Sequence, residues 1–333
     1  MKKVALTGAA GYLGQKLLSR LEQHSSVEKI IAFDCRELPA GREAAKTEFH
    51  RLDIRGPELV TLLKHESVDC FCHLAFVVDP IRNENEMHSV NREGAANVLK
   101  AVAACEAEQL IVASSTSVFG AFPDNPDWFD EKARPRKHNG YVYAADKYAV
   151  ENALQGFGKE HPHVKVAVVR PCIIYGPGVD NYLSRFILNW PFLIQVGSAR
   201  PLMQFVHEDD VAEAFMLIFE QEASGCFHVV GEGLISTAEI ARLAGIRILP
   251  LPPWLAYPLV SLLYRLHIPG IEAPGPMLDF IRYRWTASDR LTRENLGFKP
   301  QYSSKEVIKG LLAKKRALKK PQFKPKKQEG KND

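Results

Sequence analysis

A serine, a tyrosine and a lysine near the middle of the chain carry side chains suited to proton exchange with an alcohol or a ketone. Tyr143 and Lys147 lie four residues apart, so a helix would place them one turn apart on one face. The ammonium of Lys147 would then favour the phenolate and lower the pKa of Tyr143 from about 10. Ser115 closes a strand pattern upstream, where its hydroxyl could orient the reacting oxygen. The three residues predict general acid and base chemistry, although the tyrosine-to-lysine spacing alone is common on exposed helices.

A glycine-rich turn near the start of the chain predicts a dinucleotide site. The apolar run Lys2–Leu6 predicts a buried strand, Gly8, Gly11 and Gly14 follow it, and an apolar helix pattern runs on to Gln23. Glycines at this spacing permit a tight turn, close approach of backbone amides to a pyrophosphate, and close helix packing. The helix N-terminus adds a partial positive charge near the phosphates.

The second strand pattern, Lys29–Phe33, ends in an acid. Asp34 follows Gly14 by twenty residues, and a carboxylate there accepts hydrogen bonds from a ribose 2′-hydroxyl and repels a 2′-phosphate. We therefore expect NAD rather than NADP. Arg36 weakens this preference, because its guanidinium could cover a 2′-phosphate.

Strand and helix patterns alternate through the first half of the chain. Further strands are predicted over 48–52, 70–75, 109–114 and 164–170, with helices near 57–65, 85–105 and 141–158. This alternation predicts an α/β fold with a doubly wound parallel sheet, in which ligands bind at the carboxyl ends of the strands.

Several residues at these strand ends complete the predicted cofactor site. Asp53 follows the third strand, where its carboxylate either reaches the adenine amino group or serves the N-terminus of a helix. Ala75 is small enough to let the backbone pass near the cofactor. Asn91 lies within a helix pattern, an unfavourable place unless its amide makes hydrogen bonds. The predicted set also includes Tyr12, Leu13, Ile54 and Leu74.

In combination, these residues resemble the extended short-chain dehydrogenase/reductases. That family contains the nucleotide-sugar epimerases and dehydratases and the 3β-hydroxysteroid-type dehydrogenases. The resemblance runs from about Lys2 to Pro300, and Thr7–Gly14 matches the family pattern Thr-Gly-x-x-Gly-x-x-Gly. It implies that Ser115 binds substrate, that Tyr143 is the acid/base, and that Lys147 lowers the tyrosine pKa and holds the nicotinamide ribose.

The resemblance also implies features of the rest of the chain. The stretch Arg170–Pro177, with Pro171, is similar to the segment that touches the nicotinamide carboxamide. Phe205–Ala212 and Phe227–Gly231 are similar to two landmarks of the C-terminal domain. We expect a Rossmann NAD-binding domain over 1–175, a smaller and mainly substrate-binding domain over 176–318 with segments returning to the core, and a disordered basic tail over 319–333. The family further implies a homodimer built on the helices of Asn91 and Tyr143.

Other positions depart from the nucleotide-sugar enzymes. Thr116 and Ser117 stand where dehydratases of the family have Asp and Glu, which argues against dehydration. Met203, with Arg200 nearby, stands where a substrate-binding arginine is common. A second such arginine aligns near Leu278, and the residues that could replace it are Arg282 and Arg284. A missing arginine matters because each hydrogen bond to a charged group contributes roughly 1.5–3 kcal/mol.

Two segments of the presumed substrate side allow more than one interpretation. The apolar, proline-broken stretch 251–264 is shorter than the ~20 residues that span a bilayer. It predicts a packed helix, and the alternatives are a wall for a hydrophobic substrate or a membrane-surface contact. The stretch Phe122–Gly140 is long enough to form a mobile lid, with Trp128 and Arg136 either facing substrate or exposed.

Charge and cysteine content limit the remaining classes of function. The formal charge is +4, but ten Lys/Arg and two Asp/Glu lie between Lys309 and Asp333, so the first 308 residues carry 33 basic and 37 acidic side chains. The tail predicts solubility or, as the alternative, an anionic partner; nothing else in the sequence suggests a nucleic-acid partner. The six cysteines have no framework spacing and the eleven histidines form no ligand cluster. We therefore expect no metal and, without a recognisable leader, a cytoplasmic protein.

The sequence thus predicts an NAD-dependent enzyme that transfers hydride to or from a secondary alcohol or ketone with a small-molecule substrate. Frequency within the family favours a nucleotide-sugar 4-epimerase. The missing arginines and the apolar segment favour a dehydrogenase or reductase of a steroid- or lipid-like alcohol. A non-catalytic NAD(H)-binding protein is the third interpretation, and the presence of all three catalytic side chains argues against it.

Overall fold

The computed structural model describes residues 1–39, 45–189 and 192–319. The strands are β1 (Lys2–Thr7), β2 (Val27–Asp34), β3 (Thr47–Arg51), β4 (Cys70–His73), β5 (Gln109–Ala113), β6 (Lys165–Pro171), β7 (Ile173–Tyr175), β8 (Phe192–Val196), β9 (Leu202–Met203), β10 (Phe205–His207), β11 (Gly225–Val229), β12 (Ile235–Ser236) and β13 (Arg247–Leu251). The helices are α1 (Tyr12–Gln23), α2 (Glu58–Leu63), α3 (Glu84–His88), α4 (Gly94–Ala104), α5 (Val142–Glu160), α6 (Tyr182–Asn189), α7 (Glu208–Gln221), α8 (Thr237–Ala244), α9 (Pro253–Arg265), α10 (Arg290–Leu296) and α11 (Ser304–Lys319).

Seven parallel strands form the central sheet, in the order β11-β6-β5-β4-β1-β2-β3. The order turns back at β1 and β4, which confirms the doubly wound Rossmann sheet predicted from the alternation of patterns. The carboxyl ends of β1, β2, β4 and β5 lie at one edge, so Thr7, Asp34, His73 and Ala113 all end there. The predicted strand and helix positions agree with the structure to within a few residues.

Helices cover both faces of the sheet, as parallel strands require. On one face, Leu17 and Leu21 of α1 pack in one cluster with Phe215 and Phe219 of α7. On the other face, α2, α4 and α5 pack against the sheet, with Leu154 of α5 in their cluster. Cys70 and Cys72 are buried in β4, which agrees with core packing. These two layers hold the strand ends, and therefore the site, in fixed positions.

The helix predicted over 85–105 is not continuous. It consists of α3, a π-helical turn at Ser89–Glu93, and α4. Such wide turns occur often at functional sites. Asn91 lies in this turn and is buried.

Three short two-stranded pairs, β10-β7, β12-β9 and β13-β8, accompany the helices of the C-terminal half. A 3-10 helix at Gly275–Ile281 packs against α9. The chain also returns to the core here, because β11 joins the edge of the central sheet and α7 covers its face. The proposed boundaries at 175 and 318 stay predictions, and the predicted tail beyond Lys319 lies outside the described residues. Within the described ranges, no helix has the length and apolar character needed to cross a bilayer.

Candidate active site

The glycine turn between β1 and α1 fits a dinucleotide. Gly8 has φ +75°, a conformation that favours glycine, and a Cβ there would lie 2.6 Å from the backbone nitrogen of Ala75. A Cβ on Gly14 would lie 2.0 Å from the carbonyl oxygen of Gly8. Gly11 caps α1, whose first turn has no acidic residue. The amides of Ala9 and Gly11 bond the carbonyls of Phe33 and Gly8, so the part that suits a phosphate is the N-terminus of α1, whose first turn carries no acid.

The turn is fastened to the end of β2 through Asp34. The carboxylate is buried and accepts hydrogen bonds from Ala10 N at 2.9 Å and from Arg36 N at 3.0 Å. The guanidinium Nε of Arg36 lies 3.3 Å from the same carboxylate, and the Arg36 side chain is 66% exposed. Both Arg36 bonds and a 3.7 Å contact from the Cys35 thiol are to Oδ1, whereas Ala10 N bonds to Oδ2. Each carboxylate oxygen has two acceptor positions, so Oδ2 keeps one for a ribose hydroxyl.

The expected cofactor residues Asp53 and Ile54 follow β3. Asp53 is exposed and pairs with Arg55, with Oδ2 and Nη2 2.6 Å apart. It does not serve a helix N-terminus, because α2 begins later and has Pro57 at its N-cap. Ile54 is buried against the start of α4, and its carbonyl accepts a 2.7 Å hydrogen bond from Asn97. Contact of either residue with the adenine stays a prediction.

Asn91 has a different role in the structure from the one expected. Its Oδ1 accepts a hydrogen bond from Val77 N at 2.8 Å, and its Nδ2 donates to Val77 O at 3.4 Å and to Asp146 Oδ2 at 3.1 Å. Both amide protons are thus used within the protein. Asn91 fixes the segment after β4 to α5, which explains an asparagine at this position, and it has no amide proton left for a cofactor.

The remaining predicted cofactor residues lie in the wall of a cavity, in the hydrophobic core, beside Gly8 or at the end of β6. Tyr12 lines the cavity described below, whereas Leu13 packs into the hydrophobic core. Leu74 and Ala75 form the backbone against which Gly8 packs. Pro171 ends β6, and the three residues after it line the cavity.

The structure brings Ser115 and Tyr143 together in one cavity of about 130 Å³. Ser115 Oγ caps a 3-10 helix at Thr116–Phe119 by accepting a 3.1 Å hydrogen bond from Ser117 N, so its own proton is free to be donated. Lys147 is buried one turn after Tyr143 on α5, with Nζ 5.7 Å from the centre of the tyrosine ring. That Nζ donates to the carbonyl of Ala113 at 2.7 Å.

The expected lowering of the Tyr143 pKa by Lys147 is not what the structure gives. Burial raises the pKa of Tyr143 to about 12, against the opposing effect of the Ser115 hydroxyl. Burial also lowers the pKa of Lys147 to about 7, despite the nearby carboxylates of Glu151 and Asp146. Lys147 is therefore only partly charged at neutral pH, and its Nζ faces the carbonyl of Ala113 instead of the phenol, so it offsets little of the burial of Tyr143.

The described lining of this cavity is apolar and aromatic, and none of it is Asp, Glu, Lys, Arg or His. Among its polar members, the phenols of Tyr141 and Tyr182 bond each other at 2.6 Å. Its polar groups are therefore few and neutral. Its members are Tyr12, Val78, Ser115, Ser117, Tyr141, Tyr143, Cys172, Ile173, Ile174, Asn181, Tyr182, Leu183, Met203, Met277, Phe280, Ile281 and Trp285.

The arginines expected to replace missing phosphate ligands lie elsewhere. Arg282 donates to the phenol of Tyr257 at 3.2 Å, and Arg284 pairs with Asp127 at 2.6 Å. Neither these two nor Arg200 lines the cavity. Met203 does line it, whereas Leu278 packs beneath α9.

The segment Phe122–Gly140 also differs from the expected lid. Asn125 donates hydrogen bonds to the carbonyls of Gly120 and Arg284, both at 2.8 Å. Arg136 pairs with Asp124 and lies over the ring of Phe122, while Trp128 is 48% exposed. Neither Arg136 nor Trp128 lines the cavity, and the segment is fastened to the C-terminal half.

Two buried charge clusters behind the site were not anticipated from the sequence. Arg170 of β6 forms a two-pronged ion pair with Glu151 of α5, at 2.6 and 3.0 Å, and Ser114 also donates to Glu151. The carboxylate of Asp146 accepts hydrogen bonds from Arg92, His88 and Asn91. Both clusters could have been found from an acid on the buried face of the helix that carries Tyr143, because an unpaired carboxylate there would be costly and so implies a partner.

Comparison with known families agrees with this geometry. A family model described as "NAD dependent epimerase/dehydratase family" matches residues 4–230. The chain belongs to the NAD-dependent epimerase/dehydratase family. This assignment confirms the expected enzyme class and the NAD cofactor, for which the glycine turn and Asp34 form a fitting site.

Individual members of this and related groups show similarity over most of the chain. The solved structure "MoeE5 in complex with UDP-glucuronic acid and NAD" is 25% identical, has a TM-score of 0.72, and aligns over 95% of this chain and 99% of that one. The UDP-glucuronic acid 4-epimerase from Bacillus cereus, solved in complex with NAD, is 19% identical with a TM-score of 0.71, over 96% and 100% of the two chains, and shows the shared fold. Short-chain dehydrogenase/reductase family 42E member 1 of Mus musculus is 27% identical over 68% of this chain and 60% of that protein. These similarities confirm the resemblance to the extended short-chain dehydrogenase/reductases.

Proposed function

We propose that this member of the epimerase/dehydratase family is an NAD-dependent dehydrogenase or reductase of a hydrophobic secondary alcohol or ketone. The observation that carries the proposal is the uncharged, aromatic and aliphatic lining of the cavity that holds Ser115 and Tyr143. Burying an alcohol with an apolar body in such a cavity gains about 25 cal/mol per Å² of apolar surface. A diphosphate buried there without a cationic partner would instead lose its hydration without compensation.

The positions of the arginines support the same substrate class. Of the three candidates, Arg282 and Arg284 are engaged with Tyr257 and Asp127, and Arg200 does not line the cavity. Arg185 pairs with the carboxylates of Asp79, Asp180 and Glu272. Recruiting Arg185, Arg282 or Arg284 to a phosphate would first break an existing contact.

The catalytic roles follow from the protonation of the site. With a pKa of about 12, the Tyr143 phenol keeps its proton at neutral pH and can give it to a carbonyl oxygen. Ser115 donates a hydrogen bond to the same oxygen, and Lys147 is the neighbouring group that changes protonation near neutral pH. NAD supplies the hydride chemistry when bound, held by the glycine turn and Asp34. We include in this proposal a homodimer, as the family resemblance implies, and a cytoplasmic location, as the scattered cysteines predict.

The test compares two substrate classes with the purified full-length protein. NADH formation is followed with NAD and a panel of steroid and long-chain secondary alcohols, and NADH consumption with the matching ketones. UDP-glucose and UDP-glucuronic acid are incubated separately, and C4 isomerisation is measured by chromatography. We expect NAD-coupled turnover of the hydrophobic compounds alone. Isomerisation of a UDP-sugar without turnover of any hydrophobic alcohol or ketone would refute the proposal.

A nucleotide-sugar 4-epimerase is the second candidate, and it is the reaction that frequency within the family favours. The observation in its favour is the likeness to MoeE5, whose structure contains UDP-glucuronic acid and NAD and which aligns over nearly the whole chain. The same assay decides between the two, because an epimerase returns the hydride and produces no net NADH.

A further inference from the structure

Helix α9 exposes a strip of apolar side chains. Trp254, Pro258, Leu262 and Leu266, the residue after the helix, follow one another at intervals of four and so lie on one side. The exposed fractions of Trp254, Leu262 and Leu266 are 77%, 53% and 61%. The opposite side is buried through Ala256 and Val260. A helix that is apolar all round is normally buried all round, yet the described residues cover α9 on one side only. We call the exposed strip, together with the neighbouring Leu255, the α9 face.

Along the chain on either side of α9 the charges have one sign, and the acids that reach α9 from other elements are Asp279, which accepts a hydrogen bond from Tyr257, and Glu84, which lies near Tyr264. From Arg247 to Ile271 the chain carries Arg247, Arg265 and His267 and no Asp or Glu. All three basic residues are exposed. A second copy docked on this face through a two-fold axis would bring the same cations towards each other. An anionic surface complements them.

The α9 face also lies next to the site. A small cavity beside the catalytic one is lined by Tyr264 of α9, by Met277, by Tyr141 and Tyr143, and by the acidic Glu84. Tyr141, Tyr143 and Met277 line the catalytic cavity as well. The end of α9 and the catalytic tyrosine therefore line one small cavity together.

We propose that the α9 face docks on the surface of a lipid bilayer that contains anionic lipids, and that the hydrophobic substrate enters from that surface. Tryptophan and leucine insert at the boundary of headgroups and acyl chains, where nearby arginines contact anionic headgroups. The substrate part of this inference rests on the proposed function, whereas the docking part is measured independently of any reaction.

The experiment is flotation of the full-length protein with vesicles of phosphatidylcholine alone or of phosphatidylcholine with phosphatidylglycerol. The variants are W254E, L262E and R265E, and the matched control is L62E, which adds an acid at a 39% exposed leucine of α2. We expect the wild type and L62E to float with the anionic vesicles. W254E and L262E should partition roughly tenfold or more weakly, and R265E should depend less on anionic lipid than the wild type. Every variant keeps the basic tail, so the tail contributes equally to all of them.

Three outcomes would overturn the proposal. The wild type does not float with anionic vesicles, or all variants float equally, or W254E and L262E convert a wild-type oligomer to a smaller species in light scattering while flotation is unchanged. Turnover of the hydrophobic alcohols and ketones, measured without vesicles, tests the proposed function separately, because the α9 face does not line the catalytic cavity.

Discussion

Tyr143 is half-buried and Lys147 is buried, and removal from water moves their pKa values in opposite directions. Burial disfavours the charged form of each group, so the phenol holds its proton more tightly and the ammonium loses its proton more readily. At neutral pH the pair therefore consists of a protonated, neutral phenol and an amine that is only partly protonated. This arrangement suits a site whose described lining carries no charge of its own.

Replacing Tyr143 by Phe removes the proposed proton donor and leaves the ring. We expect kcat to fall by about 10²–10⁴, with NAD affinity little changed, because the edge contact with Phe76 at 5.5 Å between ring centres remains. Steady-state kinetics and NAD titration measure the two quantities. Y141F is the matched control, since its phenol bonds Tyr182 in the same wall and its loss should lower kcat less than tenfold. Unchanged turnover in Y143F would favour the non-catalytic interpretation.

Replacing Lys147 by Met should stabilise the fold in a pH-dependent way. The pKa of Lys147 falls from 10.5 to about 7 on folding, so between these values the unfolded chain binds the additional proton and wild-type stability rises with pH. The gain of K147M is therefore largest below about pH 7, on the order of a few kcal/mol, and shrinks as the pH approaches 10.5.

Urea unfolding of both proteins at several pH values gives this difference. K159M, at an exposed lysine near the end of the same helix, controls for loss of a lysine as such. A gain that is constant with pH would mean that Lys147 is not desolvated as the structure has it.

At the scale of elements, the helix predicted over 85–105 shows what periodicity does and does not reveal. The buried face is predicted well, since Val98, Ala101 and Val102 all lie in the core. The π-helical turn was not predicted, because apolar spacing does not tell whether the backbone bonds four or five residues back. The asparagine inside the pattern was the available signal, and its amide does make the hydrogen bonds that such a position requires.

Gly14 of α1 and Gly156 of α5 are both helical glycines, but only Gly14 packs against the glycine turn. A Cβ on Gly14 would lie 2.0 Å from the Gly8 carbonyl oxygen, whereas a Cβ on Gly156 of α5 has no atom within 4 Å. We expect G14A to destabilise the fold by about 1–3 kcal/mol and to weaken NAD binding. G156A should stabilise it by about 0.4–1 kcal/mol. Urea unfolding and NAD titration test both, and equal effects of the two substitutions would contradict the observed packing.

At the scale of the whole molecule, the sequence predicts where the strand-end residues of the expected cofactor side lie, and it does not predict the substrate side. Gly8, Asp34 and Ala75 end or follow strands whose patterns are clear, and a parallel sheet places such ends together. Tyr182 and Trp285 come from distant segments of the chain and meet the catalytic residues only through packing. No spacing in the sequence encodes that meeting, and so the neutral character of the cavity emerges only from the structure.

Cofactor binding should stabilise the whole molecule, and the choice of cofactor depends on the charge at the end of β2. Asp34 repels a 2′-phosphate, while the guanidinium of Arg36 lies 3.3 Å from the Asp34 carboxylate and partly offsets its charge. Thermal unfolding with NAD or NADP at equal concentrations should show the larger rise in Tm with NAD, since ligand at ~100 times Kd adds about 2.7 kcal/mol. In R36L the difference between the cofactors should widen, because the remaining carboxylate is no longer offset. An equal or larger shift with NADP would mean that Arg36 rather than Asp34 governs the ribose site.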